Sequence, residues 1–237
     1  MSHRPCVVLV RPAGPLNVGL VARACANFDA SLRLVGCTAD LRSVEFRMTS
    51  VHAEHVVARI ERFDTMADAV ADLEWVVGTC GLARDKRLSL LGSAELSATA
   101  SERHVRHLGL VFGNEADGLS NDELAACDGY VRIPASQRQP SLNLSHAVAV
   151  LLARLYADND PGPVEANEVA QAHAASRQEL ETLREAWTSL MRMRGYLSSA
   201  NEARLPASLD RMFRRWGMLR TDVRTMMGML RHLSEPD

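Results

Sequence analysis

The first 36 residues constrain this chain more than any other stretch, because they alternate between two kinds of pattern. CVVLV, residues 6–10, is a short apolar run of the kind expected for a strand buried on both faces. A turn, RPAGPLN, leads into VGLVARACANF, where Val18, Val21, Ala22, Cys25 and Phe28 fall at helical spacing and Asn17 is placed to cap the helix. LRLVG, residues 32–36, reads as a second strand. Strand, helix, strand is a βαβ unit, and it implies a parallel sheet.

The alternation continues. Helices are expected at His52–Ile60 and Met66–Leu73, and strands within residues 74–79, 105–112 and 130–133. In SNDELAAC, Ser120 and Glu123 stand at capping-box spacing, and Leu144–Tyr156 is a strongly apolar helix. DNDPGP, residues 158–163, then reads as a linker. Beyond it the pattern is only helical, over about 168–197, 205–217 and 220–233. The reading is an α/β domain at 1–158 followed by a small all-helical domain at 159–237.

Charge segregates with this division. From Met191 to Arg231 there are nine Arg against Glu202, Asp210 and Asp222, in a chain whose net charge is −2. Every basic residue except Lys86 is Arg, whose rigid fork suits phosphate. Leu205, Leu209, Met212, Phe213 and Trp216 are expected to form a core stripe. Arg192, Arg194, Arg211, Arg214, Arg215, Arg220 and Arg224 would then form a footprint for an RNA backbone.

Several classes of function are excluded. The balance of 47% hydrophobic and 24% charged residues is that of a soluble globular chain, and no run of about 18 apolar residues exists. The N-terminus carries no signal-peptide pattern, and five cysteines without a C-x-x-C fit a reducing cytosol, so a cytoplasmic location is expected. The glycine-rich dinucleotide and P-loop motifs are missing, as is a G-x-S-x-G elbow. The pairs His52/His55 and His104/His107 have no carboxylate in a recognisable motif and read as solvated surface, so no metal is expected.

Three polar clusters each follow a strand. Arg11, Asn17 and Arg23 surround the first turn; Gly113, Glu115 and Gly118 follow the strand ending at Phe112; Ile133, Ser141 and Asn143 precede the apolar helix. Singly, each could be a cap, a turn or a surface ion pair. In open α/β sheets ligands bind beyond the carboxyl ends of strands, so together they could converge on one site.

NVGLVAR (17–23), FGNEADGLS (112–120) and IPASQRQPSLNLSHAVAVLL (133–152) resemble motifs 1, 2 and 3 of the SpoU (TrmH) class of RNA 2′-O-ribose methyltransferases, in the SPOUT superfamily. The resemblance spans nearly all of residues 5–156. GYLSSANEARLPASLDRMFRRWGMLRTDVRTMMGML is similar to the C-terminal domain of TrmJ-type tRNA methyltransferases, which modify the ribose at position 32 of the anticodon loop. The resemblance implies a parallel sheet flanked by helices with a C-terminal trefoil knot, S-adenosyl-L-methionine as cofactor, tRNA as partner and a homodimer with its site near the interface. Ribosomal RNA, another tRNA position such as 34, and a non-catalytic RNA-binding role stay open.

By motif position, Arg23 is the catalytic arginine, with Asn17, Glu115, Ser141 and Asn143 beside it. The cofactor slot falls to Thr79, Cys80, Gly81, Gly113, Ile133, Ser141, Leu142 and Asn143, and Arg11 joins the RNA-binding set. A free guanidinium is always protonated, so Arg23 is expected to act first electrostatically, with Asn17 and Asn143 positioning it and the ribose; a proton-accepting role for a phosphate-bound Arg23 stays open. Gly113 is expected to admit close approach of the cofactor to the backbone. Three positions depart from the family pattern. Asn114 stands where Arg is frequent, GTCGLARDKR (78–87) replaces a Thr-x-x-Arg run, and His146 replaces a common Gln.

Overall fold

The structure, a computed structural model, describes residues 4–80, 90–158, 173–197, 202 and 204–234. Seven strands, all parallel, form one sheet: β1 (Arg4–Val10), β2 (Ser31–Val35), β3 (Glu61–Phe63), β4 (Trp75–Thr79), β5 (Leu90–Gly92), β6 (His107–Phe112) and β7 (Gly129–Arg132), in the order β3-β2-β1-β6-β4-β7-β5. The unalternating run CVVLV is explained by its place. β1 is central, and its side chains feed two separate cores. Val7 and Leu9 pack with Val18 and Cys25 of α1 (Pro15–Asn27) and with Val148 and Leu152 of α7 (Leu144–Asp158). Val8 and Val10 face the other way, onto Ala69 and Val70 of α4 (Met66–Val70) and Leu124 of α6 (Asn121–Ala125).

Two details fix the helices around the site. At Gly19, a Cβ would lie 2.1 Å from Thr49 Oγ1 and 2.8 Å from the Phe46 carbonyl, so only glycine lets α1 lie this close to α2 (Val44–Thr49). Arg33, buried on β2, is neutralised by both carboxylate oxygens of Asp72 (2.6 and 2.8 Å), donates to the Ala69 carbonyl (2.8 Å) and lies over the Phe63 ring. Its charge is met by a fork-to-carboxylate pair, the geometry that makes such burial tolerable.

Several local expectations are corrected. Helix α1 starts at Pro15 with Gly14 as its N-cap, because proline tolerates the first helical position; Asn17 is inside the helix and caps nothing. The helix expected at His52–Ile60 is only α3 (Glu54–Val57), following His52 in a left-handed conformation. Elements α2, α5 (Leu96–Glu102), β3 and β5 were not foreseen. The two strands are three residues long, too short to show a period.

The chain divides into two compact units, Met1–Glu165 and Ala166–Asp237. Of the expected linker, only Asp158 is described, as the end of α7. The second unit contains α8 (Arg177–Met193), α9 (Arg204–Trp216) and α10 (Arg220–Ser234), packed around Leu183, Leu190, Leu209, Phe213, Val223 and Leu230. The helix expected from about residue 168 begins at Arg177, because Ser176 caps it and Glu179 completes a capping box; residues 168–172 lie outside the described residues. Trp216 departs from the expected core stripe. It rests on Phe213 with ring centroids 6.1 Å apart, yet it is 53% exposed, at the last residue of its helix.

Candidate active site

Strand pairing brings the first two polar clusters together. β1 and β6 are neighbours in register, Leu9 opposite Phe112, so the turn after β1 and the loop after β6 leave the sheet side by side. This is also where the connectivity reverses direction across the sheet, the place where open α/β sheets bind ligands.

Glu115 joins the two segments. Its carboxylate accepts hydrogen bonds from Asn17 Nδ2 (3.0 Å) and from the backbone N–H groups of Gly14 (3.3 Å) and Ala13 (3.5 Å). These N–H groups belong to the start of α1, where donors lack intrahelical partners and the helix dipole favours an anion. Partial burial pushes the Glu115 carboxyl up. The bonds from Asn17 and the backbone outweigh it and hold the group below the usual carboxylate range.

The third cluster enters through Asn17. Asn143 Nδ2 donates to Asn17 Oδ1 (3.1 Å), while Asn143 Oδ1 accepts from the Ser145 N–H (2.9 Å) and hydroxyl (2.7 Å). The result is one directed chain of donors, Ser145 to Asn143 to Asn17 to Glu115. A carboxylate that can only accept stands at one end and a backbone N–H that can only donate at the other, so both amides have one orientation. Ser145 was not foreseen; its only signal was its place two residues after Asn143, where a side chain can reach the residue capping α7.

Arg23 lies on the exposed side of α1 and makes no hydrogen bond or ion pair with the described residues. Six residues beyond Asn17, it is about 120° round the helix and about 9 Å along it. Asn17 and Asn143 therefore bond to each other and not to Arg23, contrary to the expected positioning role. Ser141 is exposed, also without a hydrogen bond to the described residues.

The loop after Gly113 is held by its own atoms. Asn114 Oδ1 accepts from the N–H groups of Ala116 (3.0 Å) and Asp117 (2.7 Å), and the Gly118 N–H donates to the Asn114 carbonyl (3.0 Å). Gly118 is left-handed, with φ of +69°. A Cβ on Gly113 would stand 2.0 Å from the Gly118 carbonyl carbon and 2.2 Å from its oxygen. The close approach that demands glycine here is made by the chain's own loop. Arg11 clamps the same loop. It pairs with Glu123, whose other oxygen accepts the Ser120 N–H in the capping box of α6, and Arg11 Nη2 lies 3.5 Å from the Gly118 carbonyl.

Thr79, Gly113 and Ile133 stand at the ends of β4, β6 and β7, three adjacent strands. The Thr79 hydroxyl donates to the Val111 carbonyl (3.1 Å) and the Cys80 N–H to the Val131 carbonyl (3.2 Å), so this edge is built on backbone groups. Ile133 is half-buried against the core and Leu142 is left exposed. Apolar side chains at strand ends, edged by backbone, fit a flat heteroaromatic group. Gly81 lies outside the described residues.

In the helical unit, Arg214 pairs with Asp210 (2.8 Å), Arg220 with Glu179 (3.3 Å) and Arg192 with Glu202 (3.5 Å), so the scarce acids engage three of the seven candidate arginines. Arg194 donates to the Leu233 carbonyl (2.6 Å) and Arg211 to Ser208 Oγ (3.3 Å); Arg215 and Arg224 are exposed without an acid partner among the described residues. His52, His55, His104 and His107 are all exposed, and no group of three metal-ligating side chains occurs among the described residues.

Comparison with known proteins gives a consistent result. Residues 4–153 match the family model described as the SpoU rRNA Methylase family. The chain is 37% identical over 153 residues to the tRNA (cytidine-2'-O-)-methyltransferase TrmJ of Methanocaldococcus jannaschii, covering 63% of this chain and 66% of that protein. It is 29% identical over 243 residues to the tRNA (cytidine/uridine-2'-O-)-methyltransferase TrmJ of Yersinia pestis, covering 100% of this chain and 94% of the relative. The crystal structure of TrmJ from Z. mobilis ZM4 superposes with a TM-score of 0.76 at 24% identity, covering 98% of this chain and 99% of that one.

Proposed function

Because the chain belongs to the SpoU rRNA methylase family, we propose that it transfers the methyl group of S-adenosyl-L-methionine to a ribose 2′-hydroxyl in the anticodon loop of tRNA. The observation that carries this reading is the donor chain from Ser145 through Asn143 and Asn17 to Glu115, which ties three segments distant in sequence into one site beyond the strand ends. Thr79, Cys80, Ile133 and Leu142 would hold the cofactor, which supplies an electrophilic methyl when bound.

The rest of the chemistry is alignment and charge. Arg23, exposed and without an ion pair among the described residues, keeps its N–H donors for a substrate phosphate and for the 2′-oxygen as its proton leaves. The guanidinium lowers the barrier by stabilising that oxygen, and the proton passes to solvent water. Glu115 and Asn17 hold the start of α1 against the loop after β6, so the helix bearing Arg23 has a fixed position relative to the cofactor edge. Arg11, paired with Glu123, contributes by holding that loop.

The names of the relatives support tRNA as substrate. The resemblance of the C-terminal helices supports position 32. Incubation of the protein with tRNA and cofactor, followed by ribose-methylation mapping, tests the reading: a new 2′-O-methyl at position 32 supports it in full. A mark at 34 or on ribosomal RNA would keep the reaction and change the site, and no mass change would leave an RNA-binding protein. A homodimer belongs to the same proposal. Helices α1 and α7 pack together and leave Leu16, Val150 and Tyr156 exposed, apolar area suited to a second copy, and light scattering reads the mass. The knotted path and a cytoplasmic location, where tRNA is modified, complete it; among the described residues no helix is long and apolar enough to cross a membrane.

A further inference from the structure

Trp216 is placed unlike the other two tryptophans. Trp75 is buried at 4% exposure and Trp187 has its indole nitrogen buried, whereas Trp216 is 53% exposed, with Phe213 on one side. Such a large apolar ring left in water forgoes burial that would otherwise stabilise the unit. A basic stripe ends one residue before it, about 100° round the helix. Arg204, Ser208, Arg211 and Arg215 recur at i, i+4, i+7 and i+11, so they share one face of α9 over about 16 Å. All four are exposed, and none of the three arginines has an ion pair among the described residues. Asp210, the acid on this helix, is engaged with Arg214.

A row of unpaired cations suits any nucleic-acid backbone. A flat indole at its end suits only a base that is free of its own stack. We propose that α9 holds the single-stranded part of the RNA: Trp216 stacks on one unpaired loop base while Arg204, Arg211 and Arg215 bind the phosphates beside it. The occupant is thus an RNA loop rather than a duplex. The inference rests on the reading of a tRNA anticodon loop as substrate, and it adds how the helical unit tells a loop from a stem.

The test uses the full chain with two RNAs of equal length, a hairpin with an open loop and a blunt duplex. Trp216→Ala should weaken hairpin binding about 5- to 150-fold, the range of one base–aromatic stack, with little effect on the duplex and no change in salt slope. Trp216→Phe should keep most of the affinity, while the tryptophan fluorescence quench produced by the hairpin in the native chain should be lost. Arg211→Ala with Arg215→Ala should weaken both RNAs and reduce the salt slope by about 2. If Trp216→Ala bound the hairpin normally, or weakened both RNAs alike, the stacking inference would be overturned while the arginine result still upheld a phosphate-binding helix. If the arginine pair changed neither RNA, the basic-helix reading itself would fail. A change in oligomeric mass on Trp216→Ala would mean that the indole covers another protein surface, and would also overturn it.

Discussion

Replacing Asn17 by Asp probes the hydrogen-bond chain at its middle. In the native chain the Asn17 amide donates to Glu115 at 3.0 Å and accepts from Asn143 at 3.1 Å. Aspartate has nearly the same shape, but when ionised it can only accept. The bond from Asn143 survives, while that to Glu115 becomes a contact between two carboxylates. Two unit charges about 4 Å apart repel by about 1 kcal/mol in water and about 4 kcal/mol at an effective dielectric of 20. Glu115 is exposed, which favours the lower figure. Loss of a hydrogen bond to a charged group adds about 1.5–3 kcal/mol. The expected destabilisation at neutral pH is therefore about 2.5–4 kcal/mol for Asn17→Asp.

The pH dependence sharpens the test. In the native chain the Glu115 carboxyl is held low, so its contribution is present above the unfolded carboxylate pKa and is lost as pH falls through the folded one. In the variant, one of the paired carboxyls is pushed up. Its contribution is present at low pH and is lost as pH rises through the raised value. The stability gap between native chain and variant should thus be small near about pH 4 and full by about pH 7. Urea melts across this range read it directly. Asn17→Ala, which removes the bond that helps hold Glu115 low but adds no charge, should show a gap that grows with pH by less. A gap for Asn17→Asp that is equal at both ends of the range would refute the reasoning.

Arg23→Ala should lower the methylation rate by about 10²–10³-fold, a loss typical of removing a preorganised charge donor. Its melt and cofactor affinity should stay near native, because Arg23 is exposed and has no ion pair among the described residues; loss of cofactor binding in a calorimetric titration would contradict its role. Gly113→Ala drives a methyl into the backbone of Gly118, which cannot rotate away, so it should cost about 1–3 kcal/mol in a thermal melt and weaken cofactor binding by displacing the loop. A native melt and affinity would show that the loop is not fixed there. Removing residues 159–237 should leave cofactor binding but sharply weaken tRNA binding and flatten its salt dependence. Equal methylation by the truncated chain would reduce the helices to a structural cap.

Much of the architecture was readable locally. CVVLV read as a strand buried on both faces, and Ser120 with Glu123 announced a capping box that α6 forms. The three polar clusters were visible as interruptions at the ends of apolar elements. Their meeting was not, because the bonds that join them link residues 98 and 126 apart in sequence. Asn17 had the residue type and position of a helix cap, yet Pro15 starts the helix earlier and hands the amide to Glu115. Gly113 carried the right signal for a close approach, but only the folded loop shows that the approaching atoms are those of Gly118. The ion pair of Arg214 with Asp210 follows from helical spacing, whereas that of Arg220 with Glu179 spans 41 residues and needs the packed helices. Periodicity likewise put Trp216 on the core face and could not show that the helix ends there, leaving half the ring in water. Local patterns record which face of an element is buried and where it stops. Which polar groups then meet depends on strand order and on loops closing over long separations, and those are decided only when the sheet assembles.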